Sequence, residues 1–305
     1  MDIIKKELLE KVADLHEIPE GAYNIRENGG LGGRRTTANI DIVSKEEKSG
    51  IDIIIKPDTK NESVHIPVII SKTGIEDLVY NDFYIGENAD VVIVAGCGIH
   101  NTGDKKSAHD GIHTFHVGKN AKVKYVERHY GAGDGLGENV MNPTTVIEIE
   151  EGGYMEMETT QIKGIDSTIR NTTARLKENA KLVIKESLMT HGKQYAKTDF
   201  VVDLNGENSS ANVISRSVAK DESYQEFFSK INGNNKCAGH TECDAILMDN
   251  AKVCAIPEIT ANHIDASLIH EAAIGKIAGE QLMKLMTLGL TEEEAEEQIV
   301  NGFLK

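Results

Sequence analysis

Two segments of this 305-residue chain concentrate the residue types that bind metals or carry sulfur. In the first, Cys97-Gly98-Ile99-His100 leads into His109-Asp110-Gly111-Ile112-His113-Thr114-Phe115-His116, and His129 follows. Thiolate is a soft ligand, imidazole a borderline one and carboxylate a hard one, so such a set can hold a transition ion. Cys97 and His100 lie three apart, a common ligand spacing in metal loops. His113 and His116 have odd spacing and face opposite ways on a strand, so only a subset can converge. The candidate ligands here are Cys97, His100, His109 and His113. Their simpler reading is a polar strand with scattered surface histidines.

The second segment is Cys237-Ala238-Gly239-His240-Thr241-Glu242-Cys243, followed further on by His270-Glu271 in an otherwise apolar stretch. Cys-x2-His-x2-Cys is compact, and Gly233 and Gly239 make its backbone pliable. It lacks a fourth ligand of its own, which makes a zinc finger a poor fit. Taken alone, Cys243 with His270 and Glu271 reads as one buried thiol and a surface pair. Cys254 reads as a packing thiol.

The elements around these residues follow two periods. Residues 2–16 alternate as an amphipathic helix with Leu8, Leu9, Val12 and Leu15 on one face, ended by Pro19 and Gly21. Gly29 to Arg35 reads as a flexible basic loop. Short β-rich runs follow at 39–43, 50–56 and 64–70. From about residue 85 a turn recurs: Glu87-Asn88-Ala89, Lys119-Asn120-Ala121, Glu178-Asn179-Ala180 and Asp249-Asn250-Ala251, with Gly152 and Asn208 between them. Asn tolerates the left-handed conformation of a sharp corner. A fixed period with one turn and alternating strands per unit predicts a β-solenoid, with a large antiparallel sandwich as the competing fold. The last segment switches to helical period. Ile277, Leu282, Leu285 and Met286 share one face and Gly289 stops it. Thr291 and Glu294 form a capping box for a second helix that Gly302 ends.

Composition narrows the function. The chain is 39% hydrophobic with no Trp, so its core must be mainly aliphatic. A net charge of −16 disfavours a nucleic-acid partner, which needs a basic footprint. Apolar runs such as Val91 to Ala95 are too short to span a bilayer, and the N-terminus lacks a signal pattern. Four scattered cysteines do not form a disulfide framework and fit a reducing cytoplasm. There is no Gly-x4-Gly-Lys-Ser/Thr loop and no Gly-x-Ser-x-Gly elbow, so the chain is expected neither to bind nor to hydrolyse ATP.

From Cys243 to Phe303 the chain resembles the SufB/SufD family of iron–sulfur cluster assembly scaffolds. The shared residues are Cys243-Asp244-Ala245-Ile246-Leu247-Met248, Pro257-Glu258-Ile259, His270-Glu271-Ala272, Glu280-Gln281-Leu282, Gly289 to Ala295 and Ile299 to Phe303. Weaker similarity reaches back to about residue 85. The resemblance implies a mainly β chain built as a right-handed parallel β-helix, with an N-terminal α/β segment and a small C-terminal helical domain. The expected division is 1–84, a β-helix core at 85–265, and an ATPase-docking segment at 266–305. The resemblance also implies a role for Cys243, His270 and Glu271 in building a transient iron–sulfur cluster, with Cys237 and His240 as further ligands. Where SufB-type chains often carry Glu before the His, this chain has Ile269, and the stretch from Asp249 to Ile259 looks closer to SufD. Mixed features suggest a homodimer in place of a SufB–SufD pair. A SufC-like ABC ATPase, a sulfur donor and acceptor apoproteins are the implied partners. The alternative is a metal-dependent enzyme on a β-helix that uses the histidines of 97–129.

Overall fold

The computed structural model describes residues 3–16 and 19–304. The expected helix is α1, Ile3–Ala13; Asp14, at φ 52°, breaks it, and residue 2 lies outside the described residues. Two short hairpins follow, β1 (Ala22–Glu27) with β2 (Gly30–Arg35), and β3 (Ile40–Ser44) with β4 (Gly50–Ile55), both antiparallel. The basic segment expected as a loop is therefore largely strand β2. Asn28 and Gly29 both take positive φ, 48° and 79°, which makes a tight hairpin turn between β1 and β2.

The remaining strands alternate between two sheets. The first stacks β1, β5 (Lys60–Ile70), β7 (Asp90–His100), β9 (Lys122–Ala132), β12 (Tyr154–Lys163), β14 (Lys181–Thr190), β16 (Ser210–Ala219), β18 (Ala238–Leu247) and β20 (Ser267–Lys276). The second stacks β4, β6 (Glu76–Ile85), β8 (Ser107–Val117), the pair β10 (Asn139–Met141) and β11 (Thr144–Ile149), β13 (Ser167–Leu176), β15 (Tyr195–Leu204), β17 (Tyr224–Gly233) and β19 (Lys252–Ala261). All neighbours after the hairpins are parallel, so the chain is the expected mainly β solenoid, of about eight turns. Parallel pairing begins with β1 on β5 and ends with β20 on β18, so the ladder extends past both sides of 85–265.

Register explains the turns. Val91 lies beside Val123, Val123 beside Met155, Met155 beside Leu182, and Leu182 beside Ala211, a repeat of 27 to 32 residues. Asn88, Asn120, Gly152, Asn179 and Asn208 line one edge, each with φ between 55° and 69°. The Asn250 turn belongs elsewhere. It precedes a strand of the second sheet, on the opposite edge with Gly192 and Asp221, and its left-handed residue is Asp249, at φ 53°.

Inward positions alternate with outward ones along each strand. Ile53, Phe83, Phe115, Ile147, Ala174 and Val202 lie side by side in register and form a buried column under the second sheet. Phe83 and Phe115 stack at 4.3 Å between centroids. Helix α1 lies outside on the first sheet, with Leu8 over Gly98. A Cβ at that glycine would stand only 3.0 Å from Leu8 Cδ2. At the other end come α2 (Gly279–Thr287) and α3 (Glu292–Phe303). The capping box of Thr291 and Glu294 forms as expected, and Gly289, at φ 99°, follows α2. Gly302 does not end α3, which runs on to Phe303. Val300 and Leu304 pack against Val218 on the outer face, with Met189 and Ile246 beside them. Helix α2 buries none of its residues. Among the described residues no helix is long and apolar enough to cross a membrane.

Candidate functional site

The C-terminal candidates sit on β18 and β20. On β18 the buried residues are Gly239, Thr241, Cys243 and Ala245, while His240, Glu242 and Asp244 are half-buried on the outer face. Parallel pairing transmits this parity to β20, because Thr241 lies beside His270, Glu242 beside Glu271 and Cys243 beside Ala272. His270 and Cys243 therefore share the inner face of adjacent strands, and Glu271 lies outside. There its Oε2 is 3.8 Å from His240 Nε2, whose ring Nδ1 pairs with Asn212 Oδ1 at 2.9 Å. Cys237 is buried at the turn before β18, against Gly233. Cys254 is half-buried on β19. The five expected ligands are thus divided between the two faces of one sheet.

Electrostatics sharpen the division. Burial, with the carboxylates of Glu186 and Asp244 adding to it, pushes the Cys243 thiol up to about 12. It is therefore a neutral thiol near pH 7 until a cation or a base favours the thiolate. Burial lowers the His270 imidazole, whose Nδ1 is buried without a partner. Among the described residues no three His, Cys, Asp or Glu side chains already converge on one point. Cys243 and His270 can offer sulfur and nitrogen from inside, and Glu271 and His240 oxygen and nitrogen from outside. The latter pair can meet the former only around the free edge of β20.

The histidine-rich segment is more closed. Cys97, His109 and His113 point inward, as does His129, and all are at least nine-tenths buried. His100 ends β7 half-exposed and does not join them; His116 faces outward, where Tyr84 stacks on it at 5.0 Å. His109 Nδ1 lies 3.3 Å from Asp77 Oδ2, and Arg26 holds Asp77 through two bonds of 2.6 and 2.7 Å. His113 Nδ1 lies 2.8 Å from the Tyr125 hydroxyl, which donates to Glu127 Oε1 at 3.0 Å. His129 Nδ1 lies 3.3 Å from Gln161 Oε1.

Sequence reasoning missed the charges behind these histidines. Arg170 donates to Glu127 Oε2 at 2.6 Å and lies 3.8 Å from Glu186, which accepts from Thr198 at 2.9 Å and Ser215 at 2.7 Å. Ser215 lies beside Cys243 in register, so a buried polar row links the two segments. Burial works against ionisation of Glu127, yet Arg170 and then His129 hold its carboxyl well below the usual range. Burial lowers His113 to about 4, keeping it neutral near pH 7. The available signal was parity. Val123 and Tyr125 are inward residues of β9, and Glu127 and His129 continue the same alternation.

Comparison with known proteins gives this geometry a context. A family model described as "SUF system FeS cluster assembly, SufBD core domain" matches residues 80–303. An iron–sulfur cluster assembly SufBD family protein of Methanocaldococcus jannaschii is 33% identical over 270 residues, covering 87% of this chain and 84% of that protein. One from Archaeoglobus fulgidus is 30% identical over 264 residues, covering 85% of this chain and 69% of the relative. The iron–sulfur cluster assembly protein SufB of Bacillus subtilis is 35% identical over 102 residues, 32% of this chain and 22% of SufB.

Proposed function

The chain belongs to the SufBD family, and from that premise we propose that it is a scaffold on which iron and sulfide are joined into a cluster and passed on. The family places it in iron–sulfur cluster assembly. The observation that supports a scaffold role is the position of Cys243 and His270. They share the inner face of the last two strands of the first sheet, one step from its unpaired edge. The thiolate would hold iron once iron favours it, or would take the outer sulfur of a donor persulfide, whose remaining sulfur leaves as a thiol. His270 would add a nitrogen, and its unpartnered Nδ1 is the atom with most to gain. Glu271 and His240 would contribute from the outer face when the edge strand moves. Oxygen and nitrogen ligands suit a cargo that must be released.

The free edges of β19 and β20 favour a second copy of the chain as partner, and exposed Ile256, Ile259, Ile269 and Ile274 add apolar surface at that end. Helices α2 and α3 are the segment we assign to a SufC-like ABC ATPase. Met283, Met286 and Leu288 on and just after α2 are exposed and touch no core cluster. A sulfur donor and acceptor apoproteins complete the set.

The test is anaerobic reconstitution with iron and sulfide. Cys243→Ser loses most of the cluster absorbance, His270→Ala and Glu271→Ala each retain part of it, and Cys254→Ser matches the parent. Equal iron and sulfide in Cys243→Ser and parent would overturn the assignment.

A further inference from the structure

We propose that the enclosed cavity between β7, β8 and β9 is a binding site for one divalent first-row transition ion, held by His109, His113, His129 and Glu127. It lies apart from Cys243, and it does not depend on the scaffold reading.

The cavity has a volume of about 20 Å³, and its lining includes Cys97, His109, Gly111, His113, Glu127 and His129. That is room for one water or one ion, since a single water needs about 10–15 Å³. Each imidazole is tethered through Nδ1: His109 to the Asp77 carboxylate, His113 to the Tyr125 hydroxyl, His129 to the Gln161 carbonyl oxygen. These partners fix the tautomers. A carboxylate and an amide oxygen only accept, and the Tyr125 hydroxyl spends its proton on Glu127. All three rings therefore carry hydrogen on Nδ1 and turn Nε2 toward the cavity, where that of His113 lies 3.4 Å from Asn81 Nδ2, a long contact that an ion would replace. Anchoring the far ring nitrogen in this way is the usual support of a metal-binding histidine.

Two details of the cavity favour a cation. A Cβ on Gly111 would lie 3.0 Å from His113 Nε2 and 3.4 Å from His109 Nε2, so the glycine keeps open the space both nitrogens face. Across it, His129 Nε2 stands 3.7 Å from Glu127 Oε1. That pair calls for one positive charge, which a proton on His129 or a cation in the cavity supplies. The buried charges leave room for one, because Asp77, Glu127 and Glu186 outnumber Arg26 and Arg170. Three neutral nitrogens and one carboxylate oxygen suit Zn²⁺, Fe²⁺ or Co²⁺ better than Mg²⁺ or Ca²⁺. Cys97 is a wall of the cavity, its thiol kept protonated by burial and by Asp77 and Glu127. Among the described residues no three donors already meet at bonding distance. Capture therefore draws the Nε2 atoms inward while the Nδ1 bonds act as pivots.

The experiment is anaerobic titration of the metal-free full chain with Co²⁺, followed by visible absorption. The expected result is one equivalent bound, with ligand-field bands and no thiolate charge-transfer band. Binding weakens at least about tenfold in His113→Gln and in Gly111→Ala, which fills the space without removing a ligand. Cys243→Ser binds Co²⁺ as the parent does, which separates this site from the scaffold. Near-native circular dichroism and an unchanged thermal midpoint without metal confirm that Gly111→Ala is folded. No uptake, or uptake lost in Cys243→Ser and kept in Gly111→Ala, overturns the site. So does a proton only: His129 titrating by NMR with no response to Co²⁺.

Discussion

Between β6 and β9 each inward-facing imidazole has a partner on its Nδ1, whereas on β20 the Nδ1 of His270 is buried with none. Both regions set a cysteine beside imidazole on the inner faces of stacked strands, with buried carboxylates next to it, Asp77 and Glu127 in the first and Glu186 in the second. They differ in what lies above and below. The first is sandwiched within the stack, and Asp77, Glu127 and Arg170 complete its hydrogen bonds. The second ends at an unpaired edge, where no described residue completes it. Identical chemistry is thus locked in one place and left open in the other, and the open place is the better candidate for a site that must take up and give away its cargo.

The largest effect should come from breaking the locked region. Arg170→Met leaves Glu127 and Glu186 buried without their cation, and removing one partner of a buried pair costs about 3–5 kcal/mol. Urea unfolding of the variant should show that loss. A midpoint equal to that of the parent would mean the ionic row carries no structural role.

Acid should attack the same region next. Burial holds His113 at about 4 in the fold, against an ordinary value of 6.5. The unfolded chain therefore binds a proton between those values while the folded one does not. Stability from this group is complete above pH 6.5, falls with pH, and is gone below about 4. At about 1.4 kcal/mol per unit the loss is on the order of 3 kcal/mol. His113→Gln should flatten that part of the stability–pH curve. Parallel curves for parent and variant would assign the acid sensitivity elsewhere.

At the open end the effects should be small. Thr291→Ala removes the hydroxyl that accepts from Glu294 N at 3.2 Å, and loss of such a cap costs about 1 kcal/mol. Helical circular dichroism should melt earlier, with the strand transition unmoved. Smallest of all, Cys243→Ser should change stability by less than about 1 kcal/mol, since serine keeps nearly the same shape beside Ser215 and Glu186. A large loss of stability there would make Cys243 a packing residue like Cys97 and erase the contrast.

Much of the scaffold was legible because solenoid turns repeat locally. Asn88, Asn120, Asn179 and Asn208 announce themselves by type and spacing, and the alternation after each turn gives the strands. Asn250 misled because both edges use the same polar turn chemistry, and only register shows which edge a turn lies on. Strand β2 was hidden because glycines and arginines have little strand preference, and the hairpin rests on the turn at Asn28 and Gly29. In the site, the His270–Glu271 pair was visible, but its division between faces follows from pairing with β18. The Arg170–Glu127 pair was invisible for a similar reason. The partners are 43 residues apart and sit in opposite sheets, a relation that only the stacking creates.

Antiparallel hairpins finish the stack at one end, with β2 and β3 outermost, and β19 and β20 finish it at the other. Adding strands is possible only where backbone groups remain unpaired, and β-solenoids extended at both ends run on into fibres. In the dimer proposed above, two chains would join through β19 and β20 and leave the hairpins outermost. The hairpin edges are short, and β2 carries Arg34 and Arg35, features that discourage further strand addition there. The proposed union would bring two inner faces together across the seam, giving each Cys243 a counterpart from the other chain beside the last strand of its own sheet.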